Sequence, residues 1–204
     1  MNIIRYINVI RTKCGIPTIV CNGDLKFYCP TFVEMWRVET LYTKEIETID
    51  WINRFVPHSM LWDFGANVGT YTIYSSKKGH YVVAIEPSSR EWDILKRNIE
   101  LNLVWVNAMN IFADTDTDYS IFPKPDYIKI DTDGHDIKIL KGLERCGVLL
   151  NVKEILIEVN PTSINDITNI MNRNGLILKT KSHSPMMNGA PFEDYDNAIF
   201  VRQT

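Results

Sequence analysis

The sequence predicts an α/β fold: a mostly parallel, doubly wound sheet flanked by helices, preceded by a small N-terminal extension. Three observations carry this expectation. From Met60 onward, short apolar runs alternate with segments of helical periodicity, the pattern of consecutive β-α units. Two of the runs lead into a carboxylate and a turn, at Asp63 and at Glu86. The chain has 204 residues, 45% of them apolar, enough for one domain with a full core.

Residues 1–58 read differently from the remainder. Ile19-Val20-Cys21 and Leu25-Lys26-Phe27-Tyr28-Cys29 flank Asn22-Gly23, a two-residue hairpin signal. A helix is expected from about Thr43, with Ile46, Ile49, Ile52 and Phe55 or Val56 at helical spacing and Pro57 at its end. The domain proper is expected over 59–204. Its first strand is 60–64 and its first helix 68–78, closed by Gly79 with Lys77 and Lys78 in the last turn. Strand two is 81–86. The next helix opens on Ser88-Ser89-Arg90-Glu91, read as a capping box, and carries Trp92, Leu95 and Ile99. A short strand is expected near 104–106, a fourth at 127–131, a helix over 135–145 and a fifth strand at 154–159. A helix then starts near Ser163 and ends at Gly175. Strand six is 176–180, a long loop covers 181–195, and a last strand occupies 198–202.

The turn after the first strand, Asp63-Phe64-Gly65-Ala66-Asn67-Val68-Gly69, is a D-x-G-x-N-x-G pattern, distinct from the dehydrogenase G-x-G-x-x-G. A strand-turn-helix unit offers a helix N-terminus and its unpaired amides to a nucleotide-like ligand. Gly65 and Gly69 lack a Cβ and Asn67 tolerates the left-handed region, so the backbone can approach a ligand closely. Glu86 lies roughly 20 residues further on, the spacing at which an acid meets ribose hydroxyls. These signals point to an adenosine-type cofactor. The competing reading is an ordinary β-α-β unit whose acids cap helices.

Net charge is −3 and no run of lysine or arginine appears. That leaves no electrostatic footprint for duplex nucleic acid or an anionic membrane, while a local basic pocket stays open. Cys14, Cys21, Cys29 and Cys146 form no C-x-x-C pair and lack histidines at zinc spacing, so they read as reduced thiols of a cytoplasmic protein. The N-terminus, interrupted by Arg5 and two asparagines, lacks the marks of a secretory leader, and no segment is suited to span a bilayer.

Further blocks stand in order along the chain: Ala84-Ile85-Glu86-Pro87, Ile128-Lys129-Ile130-Asp131-Thr132-Asp133-Gly134-His135-Asp136, Ile139-Leu140-Lys141-Gly142-Leu143 and Leu156-Ile157-Glu158. With the Asp63–Gly69 turn they resemble the FkbM family of S-adenosylmethionine-dependent methyltransferases over roughly residues 60–180. Asp133 and Asp136 stand where the family's block usually has glutamates. The resemblance implies a seven-stranded Rossmann-like methyltransferase sheet with its last strand antiparallel. It also implies methyl transfer to an oxygen, often a hydroxyl on a sugar or natural product. By resemblance, Asp63, Gly65, Ala66, Asn67 and Gly69 line the methionine part of the cofactor. Glu86, followed by Pro87, holds the ribose hydroxyls, and Ala113 with Asp114 lies by the adenine. Asp114-Thr115-Asp116-Thr117-Asp118 also looks like the start of a calcium loop, but Tyr119 and Pro125 stand where that loop needs glycine and glutamate.

The reacting end is sought where strands four and five finish, at Asp131, Asp133, His135 and Asp136, then Glu158 and Asn160. Asp131, His135 and Glu158 are the candidate catalytic residues. His135 is a candidate base because imidazole titrates near neutrality. Alternatively, Asp131, Glu158 and Asn160 offer hard oxygen ligands for a divalent cation. A third reading makes Asp133 a helix cap, with His135 and Asp136 solvated. Of the other three histidines, His58 and His80 read as surface residues and His183 lies in the loop 181–195; Trp36, Trp51 and Trp105 read as core. The loop 181–195 reads as a lid or a binding segment, with Met186 and Met187 a candidate apolar wall.

The expected function is methyl transfer to a hydroxyl of a sugar, glycan or small metabolite. The rivals are ribose 2′-O-methylation of RNA, a non-catalytic cofactor-binding partner subunit and, weakest, a dehydrogenase. Neither the acceptor nor the oligomeric state is legible.

Overall fold

The computed structural model describes residues 3–183 and 195–203. The N-terminal part holds α1 (Ile3–Lys13), the hairpin β1 (Thr18–Asn22) and β2 (Leu25–Cys29), α2 (Phe32–Glu39) and α3 (Ile46–Asn53). The alternating part follows: β3 (Met60–Phe64), α4 (Thr70–Lys77), β4 (Tyr81–Ile85), α5 (Ser89–Asn102) and β5 (Asn107–Met109). Then come β6 (Tyr127–Ile130), α6 (Asp136–Arg145), β7 (Glu154–Val159), α7 (Ile164–Arg173), β8 (Leu176–His183) and β9 (Asp196–Arg202).

The seven long-range strands form one sheet in the order β5-β4-β3-β6-β7-β9-β8. The pairs from β5 through β7 are parallel, and β9 runs antiparallel to both β7 and β8. The expected α/β architecture with an antiparallel last strand is therefore the observed one. The strand order reverses between β3 and β6, and the cleft opens over the carboxyl ends of those two strands. Burial explains the strand composition: all four residues of β6 are buried and β7 is nearly so, because helices cover both faces of the sheet.

One face packs Trp62, Phe64, Ile128, Ile130, Ile155 and Ile157 against α6 and α7. The other packs Leu61, Val82, Ala84 and Leu156 against Phe27, Met35, Val38, Trp51 and Ile52 of the N-terminal part. Residues 18–55 thus help cover the sheet. The free edge of β2 is sealed by α5: Asn102 Oδ1 accepts from the Lys26 amide at 3.0 Å, its Nδ2 donates to the Lys26 carbonyl, and Asn98 Oδ1 accepts from the Tyr28 amide. The two asparagines are almost fully buried and take the place of a neighbouring strand.

Several expectations shift. The third strand lies at Asn107–Met109, three residues later than expected, because 104–106 bring the chain back from α5, whose end at Leu103 is left-handed. Trp105 is therefore 71% exposed rather than core. His80 is buried against Phe55 rather than lying on the surface. β8 extends to His183 and β9 starts at Asp196. Within the expected loop 181–195, residues 184–194, including Met186 and Met187, lie outside the described residues. Helices α1 and α2 were not expected. The Ser88 and Glu91 side chains bond to each other without capping the backbone, whereas Thr31 and Glu34 form a true capping box at α2.

Candidate active site

The turn after β3 is shaped by close approach. Gly65 has φ +76°, and a Cβ there would lie 1.8 Å from the Asp131 carbonyl oxygen at the end of β6. Asn67 takes φ +49° and Gly69, the N-cap of α4, φ +89°. The amides of this turn are occupied. Those of Gly65 and Ala66 share the Ile85 carbonyl, that of Asn67 donates to Glu86 Oε2 at 2.8 Å, that of Val68 to Asn67 Oδ1, and that of Gly69 to the Ala66 carbonyl. The expected display of free amides to a ligand is thus corrected for these five residues. The turn instead narrows the backbone and positions Glu86.

Glu86 is 6% exposed and also accepts from the Ser88 amide through Oε1 at 2.9 Å. Burial raises its pKa, opposed by the two amides. A carboxylate has about four acceptor sites, so each oxygen keeps capacity for a hydroxyl donor. Beside it an apolar slot is lined by Phe64, Gly65, Ile85, Pro87, Phe112, Ala113, Thr132, His135 and Ile139. Its walls are mainly apolar faces and rings, the kind that suit a flat heteroaromatic group, but with about 30 Å³ of free space they must part to admit one. The His135 ring meets Phe112 edge to face at 4.8 Å, and its buried Nδ1 has no hydrogen-bond partner in the protein.

Beneath the turn lies a buried charge cluster. Lys129, 2% exposed on β6, donates to Asp131 Oδ2 at 2.7 Å and lies over the ring of Tyr71. Tyr71 donates to Glu45 Oε2 at 2.8 Å, and Lys44 pairs with the other oxygen of Glu45 at 2.6 Å. Asp63, 1% exposed, accepts from the Thr72 hydroxyl through Oδ2, while its buried Oδ1 has no partner in the protein. Burial raises the pKa of Asp63 and Lys129 works against it. Burial alone would lower Lys129, but Asp131, Asp63 and Glu45 outweigh it and hold the ammonium charged. Asp131 is held low against its own burial, chiefly by Lys129 and then by the charges of Lys44 and Arg37.

Glu158 stands at the end of β7, next to the pair Ile130↔Ile157 that aligns β6 with β7. Burial first, then the charges of Asp131 and Asp136, push its carboxyl up to about 8. Asp131 and Glu158 thus differ in charge state: Lys129 keeps Asp131 ionised, and burial with the neighbouring acids keeps Glu158 protonated up to about 8.

The remaining sequence candidates separate. Asn160 Oδ1 accepts from the Thr162 and Ser163 amides, so its carbonyl serves its own turn rather than a ligand set with Asp131 and Glu158. Asp114 Oδ1 accepts from the Asp116 and Thr117 amides, which hold its pKa low; Ala113 lines the slot and Asp114 does not. Asp133 is exposed with φ +50° and is not the cap of α6. Asp136, expected to be solvated, is 7% exposed and accepts from the Thr132 and Gly134 amides, tying that turn down. His135 stands at the slot beside Phe112. Lys129, Tyr71 and Glu45 went unrecognised. A lysine alternating with isoleucines inside a strand, two residues before an acid, was the available signal for Lys129.

No family model matches the chain. The hexuronic acid methyltransferase AglP of Haloferax volcanii is 22% identical over 170 residues, covering 66% of this chain and 70% of that protein. The magnesium protoporphyrin IX methyltransferase of Synechocystis PCC 6803 with bound SAH superposes with a TM-score of 0.63 over 98% of both chains at 14% identity. M. jannaschii TYW2 in complex with AdoMet superposes with a TM-score of 0.57, covering 92% of this chain and 87% of its own, at 21% identity. The chain has the fold of S-adenosylmethionine-dependent methyltransferases.

Proposed function

We propose that the chain is an S-adenosylmethionine-dependent O-methyltransferase of FkbM type, acting on a hydroxyl oxygen of a sugar, glycan or small metabolite. One observation carries this reading: the apolar slot, Glu86 and the Asp131–Glu158 pair lie at the carboxyl ends of adjacent strands in a methyltransferase fold. When bound, the cofactor supplies a methyl group already activated by a sulfonium. The residues fit it. Glu86 keeps acceptor capacity for the ribose hydroxyls, the Ala113 slot suits the base, and the orphaned Oδ1 of Asp63 suits an ammonium. The sugar acceptor draws on AglP, whose name gives it a hexuronic acid.

The chain's own work is alignment and removal of one proton. Alignment supplies several kcal/mol. Glu158 takes the hydroxyl proton, since a carboxyl raised to about 8 is a better base than an ordinary one. Lys129 neutralises Asp131, which favours a proton site over a cation site there. His135, at the slot, contacts the base of the cofactor in this reading.

Calorimetric titration with S-adenosylmethionine and its demethylated product tests the cofactor site. Glu86→Ala is expected to weaken both at least roughly tenfold, the loss of a charge-assisted hydrogen-bond pair. Equal affinity in that variant would remove Glu86 from the site.

The proton step has its own signature. Only ionised Glu158 accepts a proton, so kcat is expected to rise with pH through about 8 and level off above it. Glu158→Gln should lose roughly 10²–10⁴-fold in kcat and flatten that limb while keeping cofactor affinity. A limb that persists in Glu158→Gln would assign the proton to another group.

A further inference from the structure

Helix α1 is docked by its polar side. Arg5 clasps Glu39 through two hydrogen bonds of 2.9 Å, Asn8 Oδ1 accepts from the Thr18 hydroxyl at 2.9 Å, and Thr12 is the buried residue of the helix. Ile3, Ile4, Tyr6, Ile7 and Ile10 face outward, from 47% exposed at Ile10 to 72% at Ile3. At 3.6 residues per turn these five side chains fall within a continuous arc of roughly 160°. Such an arc ordinarily faces a core, so its exposure marks an interaction surface.

The charge around the arc is of one sign. The helix carries Arg5, Arg11 and Lys13 and no acid. Arg11 and Lys13 fall near the two margins of the arc. Arg11 donates to the Pro17 carbonyl, Lys13 lies over the Phe32 ring, and among the described residues neither has a carboxylate partner. The whole-chain charge of −3 conceals this local excess.

We propose that α1 is an interfacial helix that lays its isoleucine face on an anionic lipid surface, with Arg11 and Lys13 reaching the phosphates at its margins. An apolar arc bordered by cations on a helix of low net hydrophobicity is the composition of helices that lie in the headgroup region. Eleven residues span only about 16 Å, so the helix lies on the bilayer rather than across it. A second copy is the poorer occupant. Two-fold pairing through this face would set α1 against α1, bringing Arg11 and Lys13 of both copies together with no acid on either helix, while Arg5 stays with Glu39 on the docked side. The proposal is independent of the catalytic reading.

The full chain would be floated with vesicles of phosphatidylcholine alone and of phosphatidylcholine mixed with phosphatidylglycerol. Binding to the mixed vesicles, much weaker to the neutral ones and weakened by salt, is the expected result. Arg11→Gln and Lys13→Gln keep the isoleucines and should each weaken it roughly fivefold. Ile7→Asn should abolish it while the circular dichroism and melting temperature stay those of the parent. Absence of binding to mixed vesicles, or undiminished binding by Ile7→Asn, would overturn the proposal. So would a dimer in sedimentation equilibrium that Ile7→Asn dissociates, since the face would then belong to a second copy.

Discussion

Gly65→Ala is expected to cost about 3 kcal/mol or more of stability, the sum of overpacking against immobile atoms and a left-handed alanine. The added Cβ would lie 1.8 Å from the Asp131 carbonyl oxygen and 2.8 Å from its carbon, both backbone atoms. Relief requires β3 and β6 to separate at the rung where the Asp131 amide donates to the Phe64 carbonyl at 3.1 Å. That rung also sets the spacing between the turn and the Asp131–Glu158 pair, so cofactor affinity should fall with stability. Gly69→Ala is the control. Its Cβ would meet the end of the Leu95 side chain at 2.5 Å, a group that can rotate away. Its cost should be nearer 1–2 kcal/mol, mostly for the left-handed conformation. Urea denaturation of both variants checks the order. Equal midpoints would mean that the β3–β6 approach does not dictate glycine at position 65.

The sheet was legible because buried parallel strands read as apolar runs and the helices between them keep a clear period. Helix α1 was not legible for a specific reason. Its apolar arc turns away from the protein, so its isoleucines, broken by Arg5 and Asn8, read as an interrupted apolar tract. The box at Ser88–Glu91 was misassigned because the pattern does not reveal whether the two side chains reach the backbone or each other. At the candidate site, the Asp63–Gly69 turn, Glu86 and Ala113 were singled out from spacing and resemblance, and Gly65, Asn67 and Gly69 adopt the left-handed backbone that those residue types favour. The use of a carboxylate is not a matter of type: Asp114 and Asn160 have ligand chemistry but spend it on their own loops. The raised pKa of Glu158 comes from burial and then from the charges of Asp131, Asp136 and Asp133, which is a fact of three dimensions.

A similar dependence governs Lys129, which pairs with Asp131 and opposes the burial of Asp63. Lys129→Met keeps the volume and is expected to cost about 3 kcal/mol, the low end of the penalty for breaking a buried pair, because Asp63 is buried but Asp131 is 31% exposed. Asp131 loses its 2.7 Å partner, and Asp63 loses the charge that opposes its burial. The pH dependence separates this from simple packing. Without Lys129 the folded-state pKa of Asp131 rises above the ordinary 3.8, and that of Asp63, already raised by burial, rises further. The folded state then binds protons that the unfolded chain releases, so stability falls as pH increases above that value. In the parent, Asp131 is held low and contributes stability that is present above 3.8 and lost below it. The deficit of Lys129→Met should therefore be larger near about pH 7 than near about pH 4, and close only below 3.8, as the pH falls through the lowered folded-state pKa of Asp131. Asp131→Asn in the Lys129→Met background should recover part of the loss at neutral pH, since it removes one unpaired charge. A deficit that is the same at both pH values, with no recovery in the double variant, would reduce Lys129 to a space-filling side chain.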